Sequence, residues 1–213
     1  DFKNEFKKFF NITPIVIYNS IENKNILLKK YNKKINFNFF DKAKNSIKLL
    51  SIGRLVKQKD HLTILRAINL IRSKKKILFC LIGKGYMYNK ILDYIETNNL
   101  QAQVRILNYK ENVYPFYKKA DIFVLSSLYE GLPNTLIEAR TFGLNIISSN
   151  CKTGPKEILK NGKYGKLFKV GDYKKLSKII LNSKKRNVFK IINDPRFNSM
   201  KNLKKYKNVL KEI

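Results

Sequence analysis

Acidic side chains are scarce in this sequence. Only 15 Asp and Glu stand against 45 Lys and Arg, which gives a formal net charge of +30 over 213 residues. An excess of that size favours two kinds of partner, nucleic acid or an anionic membrane surface. The basic residues, however, are spread along the chain in short runs at Lys74–Lys76, Lys184–Arg186 and Lys204–Lys205. There is no basic arm and no RNA-recognition, zinc-finger or basic-zipper signature, so nucleic acid is not an expected partner. Lys, Asn and Ile are over-used even at plain surface positions, the pattern of an AT-rich coding sequence. Peripheral contact with an anionic membrane remains an expectation.

Histidine and cysteine are rarer still. The single histidine, His61, cannot complete a Ser-His-Asp or Cys-His arrangement convincingly, and its place directly after a probable helix cap, Asp60, suits a structural role. Cys80 and Cys151 fit no metal or redox spacing and read as buried, reduced thiols. No Asp-x-Asp pair or mixed His, Cys and carboxylate cluster offers a divalent cation site, so no cofactor is expected and activity should be metal-independent. No phosphate-loop motif of the G-x-x-x-x-G-K-[ST] type occurs. No apolar run approaches the ~20 residues of a membrane helix, and the start has no signal-peptide pattern. The expected location is cytoplasmic, with peripheral docking at the cytoplasmic face of the inner membrane. The sequence opens at Asp1 without a methionine, as a fragment or a trimmed product would.

What is present is 44% hydrophobic and 12% aromatic, enough for a packed core. Residues 1–45 contain a polar stretch, the β-branched run ITPIVIYNSIE expected to form one strand, and a Lys- and Asn-rich segment expected to have little order. From Ile47 the texture changes to short continuous apolar runs alternating with amphipathic segments. The runs at 47–53, 76–83, 103–107, 121–127, 144–149 and 164–168 read as strands. Helices are expected near 60–71, 86–97, 111–119, 133–142, after Pro155, and over 172–181. Continuous apolar strands separated by helices specify a parallel sheet covered on both faces, a Rossmann-like α/β domain over 46–185. Residues 186–213 read as a terminal helix or tail.

In such sheets ligands sit at the carboxyl ends of the strands, and the chemically useful residues fall there. Gly53 ends the first strand and is followed by Arg54 and Lys59, a pair able to bind a diphosphate. Gly83 and Gly85 follow the second strand and serve a ligand or a tight turn equally well. YEGLPNTLIE (129–138) places Glu130 in a loop and Glu138 inside the helix that follows. The amides of Gly131, Leu132, Asn134 and Thr135, with Pro133 opening the helix, lie at the helix mouth. Two carboxylates and partly unpaired amides suit a ligand with a phosphate and several hydroxyls.

GRLVKQKD, IGKGY, YKKAD, SLYEGLPNTLIEA and GPKEIL, in this order and spacing from about Ile47 to Leu181, resemble the C-terminal half of glycosyltransferase family 4. That family has the GT-B fold of two facing Rossmann-like domains. The resemblance implies retaining transfer of a sugar from a nucleotide-diphosphate sugar, with UDP the expected nucleotide, to a hydroxyl of a glycan or lipid-linked acceptor in surface polysaccharide or lipopolysaccharide synthesis. It implies that Arg54 and Lys59 neutralise the donor diphosphate, that Glu130 contacts the donor sugar in an E-x7-E motif, and that Glu138 binds the ribose hydroxyls. Amides of Gly131–Asn134 would approach the sugar and β-phosphate, and backbone at Ile106 and Leu107 would hold the base, with Asn108 standing where glycine is usual. Two other readings remain: a non-catalytic nucleotide-sugar-binding remnant, or an epimerase of related fold. The acceptor-binding domain of such an enzyme is expected before residue 15, with residues 1–45 as the linker and its remnant.

Overall fold

The computed structural model describes residues 2–21, 24–42, 45–186 and 191–211. Six strands, β1 (Ile47–Ile52), β2 (Ile77–Ile82), β3 (Val104–Leu107), β4 (Ile122–Leu125), β5 (Asn145–Ser149) and β6 (Lys166–Phe168), form one sheet in the order β3-β2-β1-β4-β5-β6. All five pairings are parallel. This is the doubly wound order, in which the sequence of strands reverses between β1 and β4 and leaves a crevice outside their carboxyl ends.

The central strands β1, β2 and β4 are largely apolar on both faces because each face meets helices. Leu50 and Ile52 of β1, Leu78, Cys80 and Ile82 of β2, and Phe123 and Leu125 of β4 point into one core layer. The alternate residues Ile47 and Leu49, Ile77, Phe79 and Leu81, and Ile122 and Val124 point into the other. The period of two therefore splits each apolar run between two cores. The second layer is covered by α3 (His61–Ile71), α4 (Tyr88–Thr97) and α8 (Tyr173–Leu181), and α3 packs directly against α8. The first is covered by α2 (Lys24–Tyr31), α5 (Tyr114–Lys119), α6 (Asn134–Thr141) and the short α7 (Pro155–Ile158). Cys80 and Cys151 are buried and free, and burial pushes the Cys80 thiol up to about 12.

Two expectations for the first 45 residues need correction. Residues 12–20 form no strand; one isolated bridge joins Ile21 to Asn198, and Ile12 and Ile15 are exposed. A β-branched run has the propensity, but without a neighbouring strand its backbone groups gain nothing from an extended ladder. The segment expected to lack order instead contains α2 and a buried aromatic cluster, with Phe37, Phe39 and Phe40 in the first core layer. Tyr31 stacks on Phe142 at 4.9 Å, and Lys119 Nζ donates to the Phe37 carbonyl at 2.6 Å. Tertiary contact, not propensity, makes this helix. A further helix, α1 (Phe2–Phe10), precedes residues 12–20, and α9 (Ser199–Lys211) closes the described chain. Residues 22–23 and 43–44 of the expected linker, and 187–190 and 212–213 of the expected tail, lie outside the described residues.

Candidate functional site

The crevice at the strand reversal is walled by the loops after β1 and β4. The first loop turns through a 3-10 segment, Lys57–Lys59, and enters α3 through Asp60, which holds the left-handed conformation at φ 43°. Asp60 was expected to cap α3 with its side chain; its carboxylate instead accepts from the Thr63 hydroxyl at 2.6 Å, while its carbonyl accepts the Thr63 amide at 3.1 Å. Left-handed backbone at a non-glycine residue costs about 1–3 kcal/mol and persists only when its surroundings enforce it. Here the enforcement comes from the loop after β4: Ser126 Oγ lies 2.9 Å from the carbonyls of both Lys59 and Asp60, the Leu128 amide donates to the Gln58 carbonyl, and Gln58 Nε2 donates to the Tyr129 carbonyl.

His61 completes the clamp. Its ring is 4% exposed, Nε2 lies 3.2 Å from the Arg54 carbonyl, and Nδ1 has no partner. Burial pushes its pKa down to about 4, the Lys59 charge adding to that effect, so the ring is neutral and donates from Nε2. The expected structural role for this histidine is what the geometry supports.

Clamped in this way, the two loops bring Lys59 and Glu130 together. Lys59 Nζ is 2.6 Å from Glu130 Oε1, and Ser127 Oγ donates to the same oxygen at 2.6 Å. Both side chains are largely enclosed, at 15% and 7% exposure. Thr153, on the loop after β5, donates its hydroxyl to the Glu130 carbonyl, and Ser149 Oγ donates to the Ser127 carbonyl at 2.7 Å. Arg54, expected as the partner of Lys59, is exposed at the rim. One cation is thus held against a carboxylate and the other is exposed to solvent.

The glycines divide by what surrounds them. A Cβ on Gly83 would meet the Gly53 carbonyl oxygen at 1.9 Å, and one on Gly85 would meet that of Leu55 at 2.3 Å. Both therefore let the loops after β1 and β2 pack backbone to backbone, the turn reading left open above. Gly53 has ordinary contact with the Lys59 side chain at 3.6 Å. Gly131 differs: nothing lies within 4 Å of its would-be Cβ, and it is exposed. Leu132 is half-buried, and Pro133 is buried against Gly154. Asn134 opens α6 and accepts from Asn19 Nδ2 at 3.3 Å. The amides of Leu136 and Ile137 reach the Pro133 carbonyl, whereas those of Asn134 and Thr135 precede the first intrahelical acceptors.

Glu138 is half-buried, and the Tyr117 hydroxyl donates to its Oε2 at 2.8 Å. Ile106 and Leu107 are half-buried on the edge strand β3, each packed on a different core layer, and the Leu107 carbonyl already accepts the Gly83 amide at 2.9 Å. Among the described residues no three His, Cys, Asp or Glu cluster as metal ligands would, and no helix is long and apolar enough to cross a membrane. Sequence reading missed Ser126, Ser127, Thr153 and Tyr117. For the serines a signal existed: they end an otherwise apolar run, where hydroxyls are out of place in a core.

The sequence matches the family described as glycosyl transferases group 1 over residues 32–208. An uncharacterised glycosyltransferase of Methanocaldococcus jannaschii is 35% identical over 178 residues, 72% of this chain and 44% of its own length. An N-acetylgalactosamine-N,N'-diacetylbacillosaminyl-diphospho-undecaprenol 4-alpha-N-acetylgalactosaminyltransferase of Campylobacter jejuni is 29% identical over 164 residues, 76% of this chain and 42% of its own. The chain thus spans less than half the length of these curated relatives. Anabaena HepE, solved in complex with UDP and glucose, superposes with a TM-score of 0.74 at 16% identity, over 94% of this chain and 57% of its own, a likeness of fold. The chain belongs to the group 1 glycosyltransferases.

Proposed function

We propose that this chain is the donor-binding half of a retaining glycosyltransferase that moves a sugar from a UDP-sugar to a hydroxyl of a lipid-linked glycan. The observation that carries the reading is the Lys59–Glu130–Ser127 cluster at the strand reversal, beside an open Gly131 and the mouth of α6. A donor laid there would meet cations, helix-mouth amides and a carboxylate in the order that diphosphate, phosphate–sugar link and sugar require. UDP beside glucose in HepE and the diphospho-undecaprenol in the name of the Campylobacter relative support the choice of donor and acceptor. In this reading residues 46–185 are the donor domain, with 1–45 and 186–213 leading towards an acceptor domain.

Retention by double displacement would need a free nucleophilic carboxylate about 5 Å from an acid. Glu130 is a poor nucleophile, because one oxygen already takes an ammonium and a hydroxyl. The reaction we favour is attack on the same face. The bond from the anomeric carbon to the β-phosphate oxygen breaks, the acceptor oxygen forms its bond to that carbon, and the acceptor proton passes to the departing phosphate. Lys59 and the exposed Arg54 stabilise charge on the diphosphate as it grows, and Glu130 holds the sugar. No step calls on a metal held by the protein. The +30 charge favours encounter with the anionic surface where a lipid-linked acceptor lies. The test is to give the full-length protein a labelled UDP-sugar and a lipid-linked acceptor and determine the anomeric configuration of the product. Retained configuration supports the reading; an inverted product, or epimerised donor with no transfer, overturns it.

A further inference from the structure

Tyr117 belongs to α5, one element before β4, and no mechanism above uses it. Its side chain is fully buried, at 0% exposure, inside an aromatic group with ring centroids 5.6 Å from Phe142 and 5.8 Å from Phe123. Phenylalanine would satisfy that packing. The hydroxyl needs another reason, because a buried hydroxyl costs free energy unless it is hydrogen-bonded. Two acceptors lie near it, Glu138 Oε2 at 2.8 Å and the Thr135 carbonyl at 3.2 Å. A phenol has one proton, and the nearer, charged oxygen takes it. The contact joins α5 to α6 across 21 positions of sequence.

We propose that Tyr117 is a positioning residue for nucleotide recognition, fixing the Glu138 carboxylate in the orientation that meets a vicinal ribose diol. The inference rests on the reading of Glu138 as the ribose ligand. A Glu side chain samples several rotamers, and ordering one on binding subtracts from affinity. Anchoring one oxygen from a rigid aromatic core removes that cost and fixes the direction of the lone pairs. Burial, with the Glu138 charge adding to it, also holds the phenol well above its usual range, so the donor is never lost near neutral pH.

The test compares the affinities of the chain for UDP and for 2′,3′-dideoxy-UDP, by calorimetry, in the wild type, Tyr117→Phe and Glu138→Ala. GDP and ADP with their dideoxy forms replace this pair if UDP is not bound, and failure of all three overturns the nucleotide-sugar reading itself. The expected result is a preference for the ribonucleotide that disappears in Glu138→Ala and falls about ten-fold in Tyr117→Phe, the worth of one hydrogen bond to a charged group. Affinity for the dideoxy nucleotide should stay unchanged in Tyr117→Phe, which a general loosening of the fold would not allow. If Glu138→Ala loses the preference and Tyr117→Phe keeps it, the positioning role is wrong while the ribose site stands. If Glu138→Ala keeps it, the ribose site is wrong and the inference falls with it. Should Tyr117→Phe fail to fold, 3-fluorotyrosine at 117 preserves the donor. Its fluorine resonance should move with UDP and not with the dideoxy form, and a resonance that ignores both overturns the proposal.

Discussion

Two buried charge clusters sit about α6, and they are built differently. Before the helix, Glu130 takes Lys59 and Ser127 on a single oxygen, Oε1, beside a glycine with open space around it. From the other side, Asp194 takes Arg140 at 2.6 Å and Arg196 at 2.8 Å on Oδ2, and the Arg196 amide and Nε on Oδ1. Arg140 also lies 4.1 Å from the Tyr164 ring centroid, and Arg196 donates to the carbonyls of Glu157 and Ile158. Burial alone would raise the Asp194 pKa, but the hydrogen bonds from Arg196 and the charge of Arg140 outweigh it and hold the carboxyl low. The closed cluster spends both its oxygens on the fold. The open one keeps acceptor capacity at the end of a strand, and that difference, not burial or charge, separates a candidate site from a structural tie.

The closed cluster gives the largest expected effect. Asp194→Ala leaves the enclosed Arg140 guanidinium unpaired and should cost about 4 kcal/mol of stability, read by urea denaturation, with nucleotide affinity of the folded fraction unchanged. A cost under about 1 kcal/mol would mean that the two clusters are not the different things described here. Two glycines of the open cluster sharpen the same point. Gly154 has φ 70°, and a Cβ there would meet the Gly131 carbonyl oxygen at 2.2 Å. Gly154→Ala should destabilise by about 3 kcal/mol through strain and clash. Gly131→Ala should leave stability within about 0.5 kcal/mol and lower nucleotide-sugar affinity about ten-fold. Equal affinities for wild type and Gly131→Ala would remove the ligand from that space.

A pH-dependent effect concerns the clamp on the β1 loop. His61 has a folded pKa of about 4, below its unfolded value, so the neutral form is the one folding favours. Its contribution is complete above the unfolded pKa and declines as pH falls, because the unfolded chain takes up a proton that the folded chain refuses. Stability should therefore drop by about 2 kcal/mol between pH about 7.5 and about 5, a slope that His61→Leu should abolish. The chain has no other histidine to supply that slope. An identical slope in the variant would mean the ring is not held neutral.

Much of this was legible in the sequence because the relevant signals are local. KILFCLIG and DIFVLSS read as buried strands because both of their faces are apolar, and YEGLPNTLIE announced a site because Gly, Pro and charges interrupt that texture. What stayed hidden depends on long-range geometry. Nothing local distinguishes Lys59, which meets a carboxylate 71 positions away, from the exposed Arg54. Ser127 and Thr153 act through loops that adjoin only once the sheet is closed. Likewise Phe37, Phe39 and Phe40 sit in a stretch with poor periodicity, and it is the surface of α5 and the sheet that orders them.

In the proposed mechanism Glu130 holds the donor sugar while the nucleotide is bound elsewhere in the same crevice. The most direct measurement is the transfer rate and UDP affinity of the full-length Glu130→Gln protein, a variant that keeps acceptors for Lys59 and Ser127 and so keeps the loop. The account predicts a fall of about a hundred-fold in kcat with UDP affinity unchanged. Wild-type turnover, or a loss confined to UDP binding, would contradict it.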